Sequence, residues 1–235
     1  MVSTDLIVIG NGRLAKAILD FSMKEEMPQA EFPYRVTHWE AEVATQATVF
    51  RPTLVHVGSG RQYDESLEYA KKKNGVYIQA ATKSVIKLTA PTRPSIAFIH
   101  APNLSILMIK AIYLSKVLGR LFQNEEKELV ESHQADKKSI AGTAIKMASY
   151  LGIEEDGIKQ IRDPKTQLEQ LQIGNIDRHA YHWIRINEGS STIEIKCGIE
   201  GLEPYVVGLF QIADCVRELA AGSYEVEDLV EAGIL

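Results

Sequence analysis

The sequence is short of the features that mark specialised protein classes. Only two cysteines occur in 235 residues, Cys197 and Cys215, and they show no metal-ligand spacing. Reduced core cysteines and no metal are therefore expected. A basic stripe is missing and the formal net charge is −5, which argues against nucleic acid as a partner. The longest basic run, Lys71-Lys72-Lys73, precedes Asn74-Gly75. It reads as a helix C-terminus, where cations complement the dipole. No apolar stretch reaches membrane-spanning length, and no signal peptide opens the chain. A cytoplasmic protein without a membrane partner is expected. There is no internal repeat and no low-complexity segment. What remains is an ordinary globular composition, 45% hydrophobic and 24% charged, long enough for one large core or two small ones.

Against that background residues 5–15 stand out: Asp-Leu-Ile-Val-Ile-Gly-Asn-Gly-Arg-Leu-Ala. The apolar run Leu6 to Ile9 suits a strand buried on both faces, as in a parallel sheet. It stops at Gly10-x-Gly12-x-x-Ala15, and a helical stretch follows from Arg13 to about Met23. Gly10 permits a tight turn. Gly12, having no Cβ, lets a pyrophosphate approach backbone N–H groups at the helix N-terminus, and Ala15 allows close helix–strand packing. At the first strand-to-helix junction this pattern points to a dinucleotide site; a ligand-free turn is the alternative.

Further strands are expected at Tyr34 to Trp39, ending at Glu40, at Thr53 to Val57, closed by Gly58-Ser59-Gly60, at Val76 to Gln79 and at Ser95 to His100. A helix is expected from Asp64 to Lys73. The alternation implies an α/β, Rossmann-like, doubly wound parallel sheet, with ligands at the carboxyl ends of its strands. Gly10–Gly12, Glu40, Gly58–Gly60, Ala80–Thr82 and Ala101–Asn103 fall along that edge. The polar stretch Lys24 to Pro33 reads as an insertion before the second strand.

The pattern then changes. A long apolar helix from Ile106 to Phe122 is followed by a strand from Glu128 to His133 and a helix from Gly142 to Leu151. Two strands, Tyr181 to Ile186 and Thr192 to Ile199, flank a turn at Asn187 to Ser190. This is an α+β pattern with a mixed or antiparallel sheet. A final helix, Tyr205 to Ala221, is expected to return to the first domain.

Glu40, at a strand end, suits a bond to ribose hydroxyls, and its charge would disfavour a 2′-phosphate. A second cluster runs from Glu131 to Ala144. His133 and Lys137 are two proton donors four residues apart, and Ser139, Gly142 and Thr143 crowd a helix start whose N–H groups can hold a carboxylate. Read on spacing alone, a hydrogen-bonded strand-end histidine and plain N-capping explain the same residues. His179 and His182 are three apart on a strand, hence on opposite faces, and a surface or core role is expected for both. Arg178 and Arg185 are further candidate carboxylate binders, and His56 reads as a core residue.

These residues resemble the 4-hydroxy-tetrahydrodipicolinate reductase (dihydrodipicolinate reductase) family. Its signature, Glu-x-His-His-x-x-Lys-x-Asp-Ala-Pro-Ser-Gly-Thr-Ala, is similar to Glu131, His133, Lys137, Gly142, Thr143 and Ala144 taken in order. Its Ala-x-Asn-Phe-Ser-x-Gly segment, which touches the nicotinamide and joins two domains, looks like Ala101-Pro102-Asn103-Leu104-Ser105-Ile106-Leu107. Its Gly-Thr-Thr-Gly segment corresponds to Ala80-Ala81-Thr82-Lys83, and Gly222-Ser223-Tyr224 is similar to its ending. The chain departs from the family in four places. Gln134 replaces the second histidine, the Asp-Ala-Pro-Ser stretch is replaced by Ser139-Ile140-Ala141 and is one residue shorter, the Ser-x-Arg-Gly-Gly segment has no clear match near Leu171 to Gly174, and two of the three small or hydroxyl residues of the Gly-Thr-Thr-Gly segment have changed.

The resemblance implies a dinucleotide-binding domain at 1–103 and 205–235 and a substrate-binding and oligomerisation domain at 104–204, closing at hinges near Asn103 and Tyr205. It implies NADH or NADPH as coenzyme, contacted by Gly10, Asn11, Gly12, Arg13, Leu14, Glu40, Gly58, Ala80, Ala81, Thr82, Ala101 and Asn103. The implied reaction is hydride transfer to a cyclic imine or enamine dicarboxylate in lysine and diaminopimelate synthesis. His133 would be the acid, with Lys137 as partner or donor, and Gln134, Gly142 and Thr143 would bind a carboxylate. A homotetramer joined through the second domain's sheet is also implied. Two alternatives stay open: a reductase of another cyclic imine in secondary metabolism, and a nucleotide-binding paralogue without turnover.

Overall fold

The computed structural model describes residues 4–23, 34–46, 48, 50–81, 94–169 and 171–235. The chain forms two compact units, Met1–Ser105 with Tyr205–Leu235, and Ile106–Pro204. In chain order the elements are β1 (Thr4–Ile9), α1 (Arg13–Ser22), β2 (Tyr34–His38), α2 (Trp39–Thr45), β3 (Thr53–His56), α3 (Tyr63–Lys72), β4 (Val76–Gln79) and β5 (Ala97–His100). Then come α4 (Ile106–Leu121), β6 (Glu126–His133), α5 (Gly142–Leu151), β7 (Lys159–Ile161), α6 (Pro164–Glu169), β8 (His179–Glu188) and β9 (Ser191–Glu200). Finally α7 (Glu203–Val216), β10 (Gly222–Glu225) and α8 (Val226–Glu231) complete the first unit.

The first unit is built on a six-stranded parallel sheet in the order β10-β5-β4-β3-β1-β2. Its central strands are buried on both faces, which is why Leu6 to Ile9 carry no polar alternation. In α3, Tyr63, Ser66, Leu67 and Ala70 turn inward at helical spacing. Asp64 and Glu65 open that helix and Lys71 and Lys72 close it, each sign matching the dipole. Tyr63, Tyr77 and Phe98 pack ring to ring, with Tyr77 and Phe98 stacked at 5.6 Å.

Two segments depart from expectation. Trp39 and Glu40, expected at a strand end, instead open α2. The His38 ring accepts the Glu40 N–H through Nδ1 at 3.3 Å and so caps the helix. The expected helix from Tyr205 to Ala221 stops at Val216, and Gly222–Glu225 becomes β10 on the open edge of β5. The Gly222 N–H donates to the Ile96 carbonyl at 3.1 Å, starting that pairing.

The second unit carries a four-stranded sheet in the order β7-β6-β8-β9. β6 and β7 are parallel and the other pairs antiparallel, so the sheet is mixed. β8 and β9 form a hairpin over Gly189 and Ser190, with Gly189 at φ 57°. The register puts Glu131 opposite His182 and Leu129 opposite Ile184, all on one face. That face is apolar towards the middle of the sheet, where α4 and α5 pack. The other face carries Tyr181, Trp183 and Arg185.

Candidate active site

The first unit places its candidate residues just beyond one registered line across the sheet. Ile9 pairs with His56, His56 with Gln79, and Gln79 with His100. Gly10, Val57, Ala80 and Ala101 are each the next residue, so the strand ends present them side by side. Gly10 has φ 129°, and a Cβ there would lie 2.8 Å from the Gly58 backbone. The turns after β1 and β3 therefore touch at two glycines, and the Val57 N–H bonds the Ile9 carbonyl at 2.9 Å. Gly12 differs. It caps α1 in extended geometry, and a Cβ on it would meet nothing within 4 Å.

A cleft opens here, lined by Gly10, Asn11, Gly12 and Gly58 together with Val57, Ser59, Arg61 and Gln62. The first turn of α1 contains no acidic residue, and its cap makes no side-chain hydrogen bond. Backbone N–H groups at a helix start with no competing carboxylate suit a pyrophosphate. The missing Cβ of Gly12 leaves room for one, so the residues present fit a dinucleotide.

Two histidines frame this cleft from behind. His38 Nε2 donates to the Gly10 carbonyl at 3.1 Å while its Nδ1 accepts from Glu40, which fixes the Nε2–H tautomer. Buried His56 donates through Nε2 to the Arg61 carbonyl at 3.1 Å. Burial lowers the His56 pKa, which keeps that ring neutral. Ser59 belongs to the Gly58–Gly60 turn expected at this edge, whereas Arg61, Gln62 and His38 go beyond the expected contacts. Only the closeness of the two glycine turns, a non-local fact, draws them in.

Of the other expected contacts, Arg13 is exposed at the first position of α1, Leu14 is half-buried on that helix, and Glu40 is exposed on α2. Ala80 and Ala101 are buried, while the half-buried Ala81 donates its N–H to Gln79 Oε1 at 3.2 Å. Asn103 is buried and accepts the Ser105 N–H at 2.9 Å, holding the chain ahead of α4. Thr82 lies outside the described residues, as does the stretch from Lys24 to Pro33.

In the second unit, β6 ends at His133, which is 8% exposed. Its Nδ1 lies against a carboxylate oxygen of the wholly buried Glu131, whose other oxygen is ion-paired with Arg162. Burial opposes ionisation of Glu131, but bonds from His133 and Arg162 outweigh it and hold its pKa below the ordinary value. Gln167 of α6 donates to the His133 carbonyl at 2.8 Å and to Ser132 Oγ at 3.1 Å, pinning the strand end. A turn follows, closed by the Lys137 N–H on the Gln134 carbonyl at 3.0 Å. Ala141 then caps α5 without a side-chain hydrogen bond, and Gly142 and Thr143 begin the helix. One loop thus carries His133, Gln134, Lys137, Gly142 and Thr143.

His179 and His182, on opposite faces of β8, both reach His133, because His133 is the last residue of its strand. The ring centroids lie 6.5 Å and 5.8 Å from that of His133. His179 is fully used: Nδ1 donates to the Ile176 carbonyl and Nε2 accepts from Ser132 Oγ, both at 2.9 Å. His182 is 1% exposed, and neither ring nitrogen has a hydrogen-bond partner among the described residues. Burial, aided by His133, pushes its pKa down to about 3, so it is neutral. Arg185 is engaged with Glu128 and Glu194 on the other face of the sheet.

No family model matches the chain. The chain is similar to the 4-hydroxy-tetrahydrodipicolinate reductase of Rickettsia akari (strain Hartford), with 22% identity over 177 residues, 71% of each chain. Its fold is similar to that of a dipicolinate-bound dihydrodipicolinate reductase from Paenisporosarcina sp. TG-14, at TM-score 0.69 and 15% identity, covering 97% of this chain and 100% of that one. A homospermidine synthase from Legionella pneumophila, solved with NAD, aligns at TM-score 0.53 and 9% identity over 99% of this chain and 88% of that one. In sequence the chain is similar to 4-hydroxy-tetrahydrodipicolinate reductases, and in fold to a dihydrodipicolinate reductase.

Proposed function

We propose that the protein is an NADH- or NADPH-dependent oxidoreductase that reduces a cyclic imine or enamine dicarboxylate, with 4-hydroxy-tetrahydrodipicolinate as the leading substrate. The observation that carries the reading is the buried Glu131 carboxylate paired with His133 at the end of β6, on the same loop as Lys137 and the start of α5. The first unit holds the coenzyme over the Gly10–Gly12 turn, and the second holds the substrate. The bound reduced nicotinamide supplies a hydride.

Hydride addition to a conjugated C=N system leaves negative charge on nitrogen or a ring carbon, and a proton must meet it. Glu131 engages His133 through Nδ1, so Nε2 is the ring atom that gives its proton. The Lys137 ammonium pairs with a substrate carboxylate or shares in the proton transfer. The Gly142 and Thr143 backbone N–H groups, at the head of a ten-residue helix, hold a carboxylate. The second sheet joins copies of the chain through its Tyr181–Trp183 face.

One residue favours a second reading. Gln134 stands where the family signature has a histidine, and an amide bonds a carboxylate without carrying charge. A related cyclic imine with one fewer anionic group fits that change. The test is oxidation of NADH and NADPH with 4-hydroxy-tetrahydrodipicolinate beside a panel of cyclic imines. Turnover of the dicarboxylate supports the leading substrate, and turnover of another imine alone supports the second reading. No oxidation with any of them overturns both.

A further inference from the structure

Arg162 takes no part in the chemistry above, yet it touches Glu131, the carboxylate beside His133, and the backbone of Lys137. It follows β7, which runs parallel to β6 with Ile161 beside Ser132, so it emerges level with His133. Its guanidinium has four acceptors. Nη2 donates to Glu131 Oε1 and, at 3.2 Å, to Gln160 Oε1. Nε donates to the Lys137 carbonyl and Nη1 to the Ile161 carbonyl, both at 3.0 Å. The Arg162 side chain is 19% exposed and its carboxylate partner wholly buried, so solvent competes weakly for the pair.

The two oxygens of Glu131 are thereby divided. One meets Arg162 and the other meets His133 Nδ1. The carboxylate is thus held from behind by the guanidinium, with the His133 ring against its other oxygen. Through Nε the same cation holds the backbone of the turn that carries Lys137. A planar fork with five N–H donors can do both at once, whereas a lysine ammonium is a point charge with one centre.

We propose that Arg162 is a positioning residue that sets His133 and Lys137 together, through the Glu131 carboxylate on one side and the Lys137 carbonyl on the other. The kinetic consequence rests on the reductase reading; the coupling itself does not.

Two readouts test it. In protein carrying isotope-labelled histidine, the His133 ring signals are assigned by their loss in His133→Asn. Arg162→Ala and Arg162→Lys move those signals, while the signals of His38 and His100, which belong to the first unit, stay in place. Guanidinium ion added to Arg162→Ala returns the His133 signals towards wild type, and urea does not. In turnover, Arg162→Ala loses about 10²-fold in kcat, as displaced catalytic groups do, with an unchanged coenzyme KM. Guanidinium recovers most of that loss. If Arg162→Ala fails to fold, Arg162→Lys carries the test, since it keeps the charge and loses the fork. Unmoved His133 signals overturn the positioning role and leave the reductase reading standing. Moved and rescued signals in a protein that oxidises no coenzyme support the positioning role and overturn the reductase reading.

Discussion

Gly10 and Gly58 approach until a Cβ on the first would stand 2.8 Å from the Cα of the second. Gly12, two residues on, faces open space. The two glycines of one turn therefore fail differently. Gly10→Ala forces a residue at φ 129° against backbone and is expected to cost about 1–3 kcal/mol of stability. Gly12→Ala is expected to stay within about 0.5 kcal/mol of wild type, because its methyl meets no protein atom. It is still expected to weaken NADH or NADPH binding, because the methyl enters the space proposed for the pyrophosphate. Urea unfolding and coenzyme fluorescence titration separate the two, and full coenzyme affinity in Gly12→Ala would place the ligand elsewhere.

Coenzyme choice is expected to turn on Glu40. Its exposed carboxylate on the first turn of α2 repels a 2′-phosphate more than a ribose hydroxyl. Glu40→Gln is expected to raise the NADPH-to-NADH ratio of kcat/KM by about 5-fold, the size of one solvent-exposed charge interaction. An unchanged ratio shows that Glu40 does not face the ribose.

His133→Asn keeps a hydrogen-bonding side chain and removes the titrating ring. A drop in kcat of about 10² to 10⁴ is expected, with little change in coenzyme KM. A kcat within a few-fold of wild type would remove His133 from the proton-transfer step.

His182 gives a pH-dependent stability of known sign. Its pKa falls from 6.5 to about 3 on folding, because burial disfavours the cation. Between those values the unfolded chain binds the proton that the folded chain refuses. The contribution is thus fully present above about pH 6.5 and is lost as pH falls through the window towards the folded value. His179 and His56, also lowered chiefly by burial, act in the same direction. Replacing His182 by Leu removes its share. The stability difference between Leu variant and wild type is expected to move in the variant's favour as pH falls from 6.5, by at most about 1.4 kcal/mol per unit. Urea unfolding at pH 7.5 and pH 5 reads it, and an equal difference at both pH values contradicts it.

The outward face of the second sheet bears Tyr181 and Trp183 stacked at 5.7 Å, with Lys196 Nζ 5.1 Å and 5.2 Å from their ring centres. Trp183→Glu is expected to convert a homo-oligomer into a smaller species by sedimentation, with the far-UV spectrum kept. A monomer in wild type would show that this face does not join copies.

How far the sequence reveals this molecule depends on how local each feature is. Leu6 to Ile9 announce a strand because burial on both faces removes polar alternation, and the helix after Gly12 follows from its own spacing. The antiparallel strands of the second sheet are likewise visible in their patterns, whereas β7, whose parallel pairing makes that sheet mixed, is three residues long and is not. β10 is not, since Gly222–Glu225 is short, half exposed and without apolar alternation; only the free edge of β5 makes it a strand. Trp39 and Glu40 continue a strand pattern, and the His38 ring nitrogen that redirects them into a helix leaves no mark in composition. In the candidate site, His133 and Lys137 belong to one legible segment. The converging His182 and Arg162 come from β8 and from the end of a three-residue strand, and their nearness to His133 is a product of register.

The strand order also sets a timetable for synthesis. β10 is an edge strand of the first sheet, yet all of Ile106–Pro204 is translated between it and its neighbour β5. On the ribosome, β1 to β5 can pair and form the glycine-lined cleft while the edge of β5 stays open, until the final stretch of polypeptide emerges. An unguarded edge of that kind invites pairing with another nascent copy. A chaperone that shields β5 during this interval would raise the yield of native protein.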